Sequence, residues 1–195
     1  SIFSRILRTE ADAIGFSSNF TIYDASDSKS LVKSIIREMG LDDKTYKPAV
    51  VQSRISQAKN HLILPDAYAA SGELYRADAD AKMPQLRDIY LRYWERCRQS
   101  DAMDFDDLLV YTYQLLKSHP EICDKYATHF EYVLVDEYQD TNYAQHCIVQ
   151  LLTGKHRRVC VVGDDAQSIY SFRGANIDNI LNFTYLYREA RLFKL

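Results

Sequence analysis

The sequence predicts an α/β fold with a parallel sheet, together with a part of the chain that is entirely helical. Two apolar runs, 132–135 and 159–162, each end abruptly in acidic residues, as buried parallel strands do at the carboxyl edge of a sheet. Residues 142–152 between them have a helical pattern, so the three segments predict a strand–helix–strand unit. In contrast, no stretch within 24–102 alternates apolar and polar residues for long, which favours helices there.

The helical part contains several segments with recognisable boundaries. Residues 26–39 predict a helix in which Ser26 or Asp27 is the N-cap and Gly40 follows the last turn. The apolar stripe of this helix consists of Leu31, Ile35 and Met39. Further helices are predicted over 49–61, over 65–80 and from Pro84 onward. Within the last of these, three-four spacing predicts that Tyr93 and Trp94 belong to the core.

Two charged stretches lie at the end of the helical part. The first is basic and contains Lys82, Arg87, Arg92, Arg96 and Arg98. It either faces DNA phosphates or forms a solvated helix face with internal ion pairs, and both interpretations stay open. The second is acidic and contains Asp101, Asp104, Asp106 and Asp107. Asp104 is predicted to be the N-cap of the next helix. Capping and solvation therefore explain these acids more simply than a metal site does.

Composition limits the class of protein. The chain has 195 residues, of which 47% are hydrophobic, and a net charge of −3, which argues against a general polyanion-binding surface. No apolar run approaches the roughly 18 residues needed to cross a bilayer, so we expect no membrane partner. The four cysteines share no Cys-x-x-Cys spacing, which favours reduced thiols in a cytoplasmic protein over a metal centre.

The acids that follow the two predicted strands indicate phosphate chemistry. Asp136 directly follows the first strand, where a carboxylate can hold Mg²⁺ beside nucleotide phosphates. The adjacent Glu137 can polarise an attacking water. Gln167, in the second block, can orient that water or sense a terminal phosphate. An isolated Asp-Glu pair after a strand is a weak signal by itself, and the interpretation depends on both blocks occurring in this order.

The second block also carries a possible nucleic-acid contact. Tyr170, Phe172 and Arg173 place two aromatic rings and a guanidinium on one short segment, which suits base stacking and a phosphate contact. Taken alone, the two aromatic residues are more often packing residues.

These blocks closely resemble motifs of superfamily-one DNA helicases of the UvrD/PcrA/Rep type. Asp-Glu-Tyr-Gln-Asp-Thr-Asn at 136–142 resembles that family's Walker B motif, and 163–175 resembles its third motif, which is highly specific. Similar segments extend the resemblance over nearly the whole chain, at 1–8, 19–24, 55–60 and 103–109. The chain departs from the family at Phe172, where tryptophan is usual, and at Ala166, where many relatives have an acid.

The resemblance implies a partial P-loop-NTPase (RecA-like) sheet with an inserted helical subdomain. Residues 1–19 and 103–195 are then part of the first motor domain, and 20–102 form a helical insertion similar to the accessory subdomain called 1B. The cofactors implied are ATP and Mg²⁺, and the partners are single-stranded DNA and a duplex junction. Asp136 holds the metal ion, Glu137 activates water and Gln167 contacts the γ-phosphate. Tyr170, Phe172 and Arg173 contact the single strand, while Lys59 and Asn60 contact duplex.

One required element is missing from the sequence. An ATP-driven motor needs the phosphate-binding pattern Gly-x-x-x-x-Gly-Lys-Ser/Thr, and none of the six glycines builds it. The single Gly-Lys pair, at Gly154, is better explained as the end of a helix. We therefore expect an internal piece of a helicase, with the rest of that chain supplying the P-loop and second motor domain. By itself, the piece is expected to be inactive.

Two other classes of function stay open at this point. The first is a DNA-binding module that keeps the aromatic residues and the helical insertion but has no catalytic role. The second is a metal-dependent phosphoesterase built from Asp136, Glu137, Asp140, Asp164 and Asp165. The second alternative leaves the segment 167–175 unexplained.

Overall fold

The computed structural model describes residues 2–129, 133–135, 142–154 and 159–161, without the side chains of 133–135 and 159–161. Within these residues the chain is rich in helix and has two small parallel sheets, which confirms the α/β class. It divides into two compact units, 1–111 and 112–195.

The first unit contains a pair of strands and most of the helices. In chain order these are α1 (Ile2–Thr9), a 3₁₀ turn (Ala11–Ile14), β1 (Thr21–Tyr23), α2 (Ala25–Glu38), α3 (Pro48–Asn60), α4 (Pro65–Ala70), α5 (Gly72–Asp80), α6 (Leu86–Gln99) and β2 (Ala102–Asp104). Strands β1 and β2 are parallel, with Thr21 opposite Ala102 and Tyr23 opposite Asp104. Helices α2–α6 therefore lie in the chain between two strands that pair with each other.

The division between the units falls within the next helix, α7 (Phe105–Ser118). The second unit continues with α8 (Pro120–His129), β3 (Val133–Val135), α9 (Tyr143–Thr153) and β4 (Val159–Val161). Helices α8 and α9 pack together, and the thiol of Cys123 donates to the carbonyl of Leu151 over 3.4 Å. The described cysteine side chains, Cys97, Cys123 and Cys147, are free thiols, and that of Cys97 is buried.

The core of the first unit lies between helices α2, α3, α4 and α6. Ile35 of the predicted stripe is fully buried, and Leu31 and Met39 pack against the core. Tyr93 is also buried, and Trp94 packs at the edge of the same cluster, so the prediction that they are core residues is confirmed. Burial of this apolar surface supplies the main driving force for folding.

The predicted start of α2 was wrong by two to three residues. Asp24 is the N-cap, and its side chain accepts a hydrogen bond of 2.7 Å from the backbone N–H of Asp27. Asp27 in turn accepts from the backbone N–H of Asp24 over 3.1 Å, so it is the third helical residue of a capping box and not the cap. At the other end, Gly40 has φ of 67° and follows the last turn, as predicted.

The segment predicted as one helix over 65–80 is divided. Ser71 has extended backbone and separates α4 from α5. Its hydroxyl accepts a hydrogen bond of 3.1 Å from the backbone N–H of Leu74, so it caps α5. A serine within an apparent helical run therefore begins a new helix here, because its side chain satisfies an N–H that the first turn leaves unpaired.

The cap of α2 can be tested by substitution. We expect Asp24→Ala to lower the free energy of unfolding by about 1 kcal/mol, because the hydrogen bond from the backbone N–H of Asp27 to the Asp24 side chain is lost. Ser26→Ala, an exposed change within the same turn, is the control and should alter stability much less. Urea unfolding measures both; equal stability of the two variants would contradict the assignment of the cap.

Candidate functional site

The strands that precede the two acidic blocks form one parallel pair. Val133 lies opposite Val159 and Val135 lies opposite Val161, and α9 connects the two strands. The predicted strand–helix–strand unit is therefore confirmed. Because both strands run in the same direction, the chain leaves both of them at the same edge of the sheet. In the sequence, Asp136 is the residue that follows β3.

Most of the predicted site residues lie outside the described part of the chain. These are Asp136, Glu137, Gln167, Tyr170, Phe172 and Arg173, together with Asp140, Asp164 and Asp165 of the phosphoesterase alternative. Residues 176–183, whose pattern predicts a helix, and residues 192–195, whose apolar run predicts the start of a strand, lie outside it as well. The roles of all these residues stay predictions.

The described residues resume at the start of α9. Asn142, the last residue of the first acidic block, caps α9, and its side chain accepts from the backbone N–H of Gln145 over 2.9 Å. The Gln145 side chain accepts from the backbone N–H of Asn142 over 3.0 Å, which completes a capping box. At its far end the helix has Gly154 as its C-cap, so the interpretation of this glycine as a helix terminus is confirmed.

Lys59 does not occupy a position from which it could contact DNA. Its side chain is 0% exposed, and its Nζ lies 2.8 Å from Oδ2 of Asp104 and 2.8 Å from Oδ1 of Asp107. The ammonium group also lies 4.7 Å from the centre of the Tyr93 ring. The expected DNA contact of Lys59 is therefore wrong, because the charge is enclosed by the first unit and paired within it.

Asn60 is corrected for the same reason. It is 1% exposed, and its Nδ2 donates to Oδ1 of Asp106 over 3.2 Å and approaches Oγ of Ser56 at 3.4 Å. A buried amide that bonds to a neighbouring element holds the fold together and presents no donor to a phosphate.

Burial and neighbouring charges shift the pKa values of Asp104 and Asp107 in opposite directions. Burial would raise the pKa of Asp104, but the charge of Lys59 and the hydrogen bonds from Lys59, Tyr93 and the backbone of Asp107 together lower it. For Asp107, burial and the Asp104 charge outweigh Lys59 and raise the pKa to about 7. Burial would lower the pKa of Lys59, but the two carboxylates raise it instead. Lys59 is therefore charged at every physiological pH.

The acidic stretch acts as a cap, but most of it is not solvated. Oδ1 of Asp104 accepts from the backbone N–H of Asp107 over 2.8 Å, and Oδ2 of Asp107 accepts from that of Asp104 over 3.0 Å. Asp104 thus caps α7, as predicted. Both acids are buried, however, so ion pairing with Lys59 replaces the predicted solvation. Among the residues that the structure describes, no group of three or more side chains has the arrangement of a metal site.

Three arginines of the basic stretch make contacts inside the first unit. Arg96 pairs with Glu38 over 2.7 Å, and the guanidinium of Arg87 lies 4.5 Å from the centre of the Tyr75 ring. Arg98 donates to the hydroxyl of Tyr111 over 3.1 Å. These contacts favour the interpretation as a helix face with internal interactions for these three residues.

The sequence interpretation missed the pairing of Lys59 with Asp104 and Asp107. The available signal was indirect: Lys59 follows the buried positions Ile55 and Ala58 on α3, at the spacing of its apolar face. A lysine at such a position is normally placed at the rim of a core, with its charge in water.

Comparison with known proteins identifies the family to which this chain belongs. Residues 1–188 match the family model described as the UvrD/REP helicase N-terminal domain, and the chain belongs to this family. It is 41% identical over 191 residues to the ATP-dependent DNA helicase PcrA of Leuconostoc citreum, which is 98% of this chain and 25% of the relative. The PcrA helicase of Staphylococcus aureus is 42% identical over 186 residues, 95% of this chain and 25% of the relative.

The match is thus with a part of each relative. The PcrA helicase of Staphylococcus epidermidis has 41% identity over 187 residues, again 25% of its own length. The chain spans about a quarter of the length of the curated relatives it matches. In the described part of the chain, no helix combines the length and apolar character needed to span a membrane.

Proposed function

We propose that the chain is part of an ATP-dependent DNA helicase and belongs to the first motor domain of that helicase. In this proposal, ATP hydrolysis drives three-prime-to-five-prime translocation on single-stranded DNA and unwinding of the duplex ahead. The observation that carries it is the parallel pairing of β3 and β4 around α9, two strands that directly precede the two acidic blocks in the sequence. Ligands of parallel α/β sheets bind at the carboxyl ends of the strands. The printed names of the relatives, ATP-dependent DNA helicases, support the choice of reaction.

The chemistry of Asp136 fits a magnesium ion. It directly follows β3, and carboxylate oxygens are the hard ligands that Mg²⁺ prefers. When bound, the ion neutralises charge that develops on the phosphates. Glu137 accepts the proton of the water that attacks the γ-phosphate, and Gln167 contacts that phosphate. The remaining chain of the intact helicase supplies the P-loop and the second motor domain.

The same block connects hydrolysis with movement along DNA. Tyr170 and Phe172 stack on bases of the single strand, and Arg173 contacts its backbone. Gln167 lies only a few positions before these aromatic rings, so loss of the γ-phosphate can shift the stacking residues with it. Phenylalanine offers a smaller ring than the tryptophan usual in the family, but the same kind of stacking face.

The helical insertion, 20–102, is proposed to contact the duplex junction. Lys59 and Asn60 are excluded from this contact by their burial. The basic residues on the surface of the insertion are the candidates that remain. A cytoplasmic location, where the thiols stay reduced, is part of the same proposal.

The proposal is tested by ATP hydrolysis of the intact helicase, with and without single-stranded DNA, beside the 195-residue chain. We expect DNA-stimulated turnover by the intact protein and none by the 195-residue chain, because the latter contains no P-loop pattern. No turnover by a folded intact protein would favour the non-catalytic DNA-binding module. Turnover by the pure 195-residue chain would contradict the need for the remaining domains.

A further inference from the structure

The Lys59 cluster, formed by Lys59, Asp104 and Asp107, contains more negative than positive charge. One ammonium group lies 2.8 Å from each of two carboxylates, and the three side chains are between 0% and 8% exposed. If both carboxyl groups are ionised, the cluster holds one positive and two negative charges away from water. A buried charge without compensation is unfavourable by several kcal/mol unless it is neutralised.

The two carboxyl groups are not equivalent. Oδ2 of Asp104 accepts hydrogen bonds from Lys59 and from the hydroxyl of Tyr93, each over 2.8 Å. Among the described residues, Oδ1 of Asp107 receives no hydrogen bond of good geometry, although Nζ of Lys59 lies near it. Asp104 is therefore the better-stabilised anion, and Asp107 is the group that gains most from a proton.

Among the residues that the structure describes, Lys59 is the cation that pairs with Asp107. The titratable groups that face the cluster are Lys59 on α3, Tyr90, Tyr93 and Cys97 on α6, Asp104 on β2, and Asp106 and Tyr111 on α7. Burial raises the pKa of the Tyr90, Tyr93 and Tyr111 hydroxyls and of the Cys97 thiol, so these four groups stay neutral near pH 7. Burial, together with the Asp104 charge, also raises the pKa of Asp106.

The cluster joins four elements of the first unit. Lys59 is the penultimate residue of α3, Tyr93 belongs to α6, Asp104 ends β2, and Asp107 lies in the first turn of α7. The helices of the core thus meet the strand pair through these side chains. Any change in the charge of the cluster acts on this attachment.

We propose that Asp107 is a proton switch at the attachment of the helices to the strand pair. When Asp107 is protonated, the cluster contains one balanced ion pair, between Lys59 and Asp104. When Asp107 is ionised, the attachment is weakened. This inference concerns the first unit alone and does not depend on ATP hydrolysis. Binding of one proton neutralises the surplus charge while Asp104 keeps its pairing with Lys59. Release of the proton leaves two buried carboxylates facing each other across a single ammonium group.

The direction of the pH effect follows from linkage. The pKa of Asp107 is raised in the folded state, so its stabilising proton is fully retained at acidic pH and is lost as pH rises through about 7. From pH 5 to pH 8, the ratio of folded to unfolded chain should fall about a hundredfold through this group. The lowered pKa of Asp104 acts in the opposite direction, and its contribution is lost only in stronger acid.

The test compares urea unfolding from pH 5 to pH 8 of the unaltered chain, Asp107→Asn and Asp27→Asn. Asp27 is a matched control, because it occupies the same third position of a capping box at the start of α2 but is exposed. We expect the stability of Asp107→Asn to fall much less from pH 5 to pH 8 than that of the unaltered chain. The stability of Asp27→Asn should fall as much as that of the unaltered chain. Other groups, such as His146, contribute equally to all three proteins. Identical pH profiles of all three would overturn the proposal.

A second measurement covers the case in which Asp107→Asn does not fold. The carboxyl ¹³C chemical shift of Asp107 can be followed by NMR in the unaltered chain. We expect Asp107 to ionise in the neutral range. Ionisation of Asp107 in the acidic range would overturn the proposal without any variant.

Discussion

Replacing Glu137 by glutamine is expected to lower the DNA-stimulated ATP hydrolysis of the intact helicase by about 10²–10⁴-fold. Glutamine keeps the size and polarity of the side chain but cannot accept a proton at neutral pH, and general-base catalysis typically contributes a factor of this size. Because only the proton acceptor is removed, nucleotide binding should persist. Steady-state turnover and equilibrium binding of ATP, measured on the same preparation, separate the two effects.

Glu38→Gln is the matched control for this experiment. Glu38 is about half exposed and pairs with Arg96 on the surface of the first unit, so the same chemical change there should leave turnover unaltered. Turnover of the Glu137→Gln variant close to that of the unaltered helicase would contradict the assignment of the base. Loss of ATP binding in that variant would assign Glu137 to nucleotide binding instead.

Replacing Lys59 by methionine is expected to lower the free energy of unfolding by roughly 3–5 kcal/mol. Methionine fills much of the same volume, but it removes the ammonium group that lies 2.8 Å from both Asp104 and Asp107, so two buried carboxyl groups lose the cation that pairs with them. The loss should be smaller at pH 5 than at pH 8, because protonation relieves the repulsion between the acids. Urea unfolding at both pH values measures it.

Arg96→Met provides the control for Lys59→Met. It also removes a basic residue from an ion pair with a short distance, 2.7 Å, but its side chain is 40% exposed. Exposed pairs contribute about 0–1 kcal/mol, so the change should be small and nearly independent of pH. A stability of Lys59→Met equal to that of Arg96→Met would contradict the account of the buried cluster.

The sequence predicts the architecture well where the residue pattern within a single strand or helix specifies it. The apolar run of β3, the polar start of α9 and the second apolar run at β4 specify a strand–helix–strand unit, and the parallel pairing follows from the length of the connection. The sequence predicts Asp104 as a cap because the helix that follows has Asp107 as its third residue, where an acid is favourable for the helix dipole. Asp24 was missed because Ser26 and Asp27, also favourable caps, follow it closely.

The error at Lys59 has a different cause. A lysine is predicted on the surface because burial of its charge is unfavourable, and only a partner of opposite charge reverses that preference. Here the partner Asp104 lies 45 positions further along the chain. Nothing local to Lys59 indicates it, so the burial becomes visible only when α3 and β2 are placed side by side. The same family motifs that suggested DNA contact therefore include residues that hold the fold together.

We propose that this chain is part of a motor that moves along one DNA strand toward its five-prime end. The most direct measurement is strand separation by the intact helicase with ATP and Mg²⁺, on a duplex with a three-prime single-stranded tail and on one with a five-prime tail. We expect unwinding of the first substrate, dependent on ATP hydrolysis, and little unwinding of the second. Binding of both substrates without strand separation, or a preference for the five-prime tail, would contradict it.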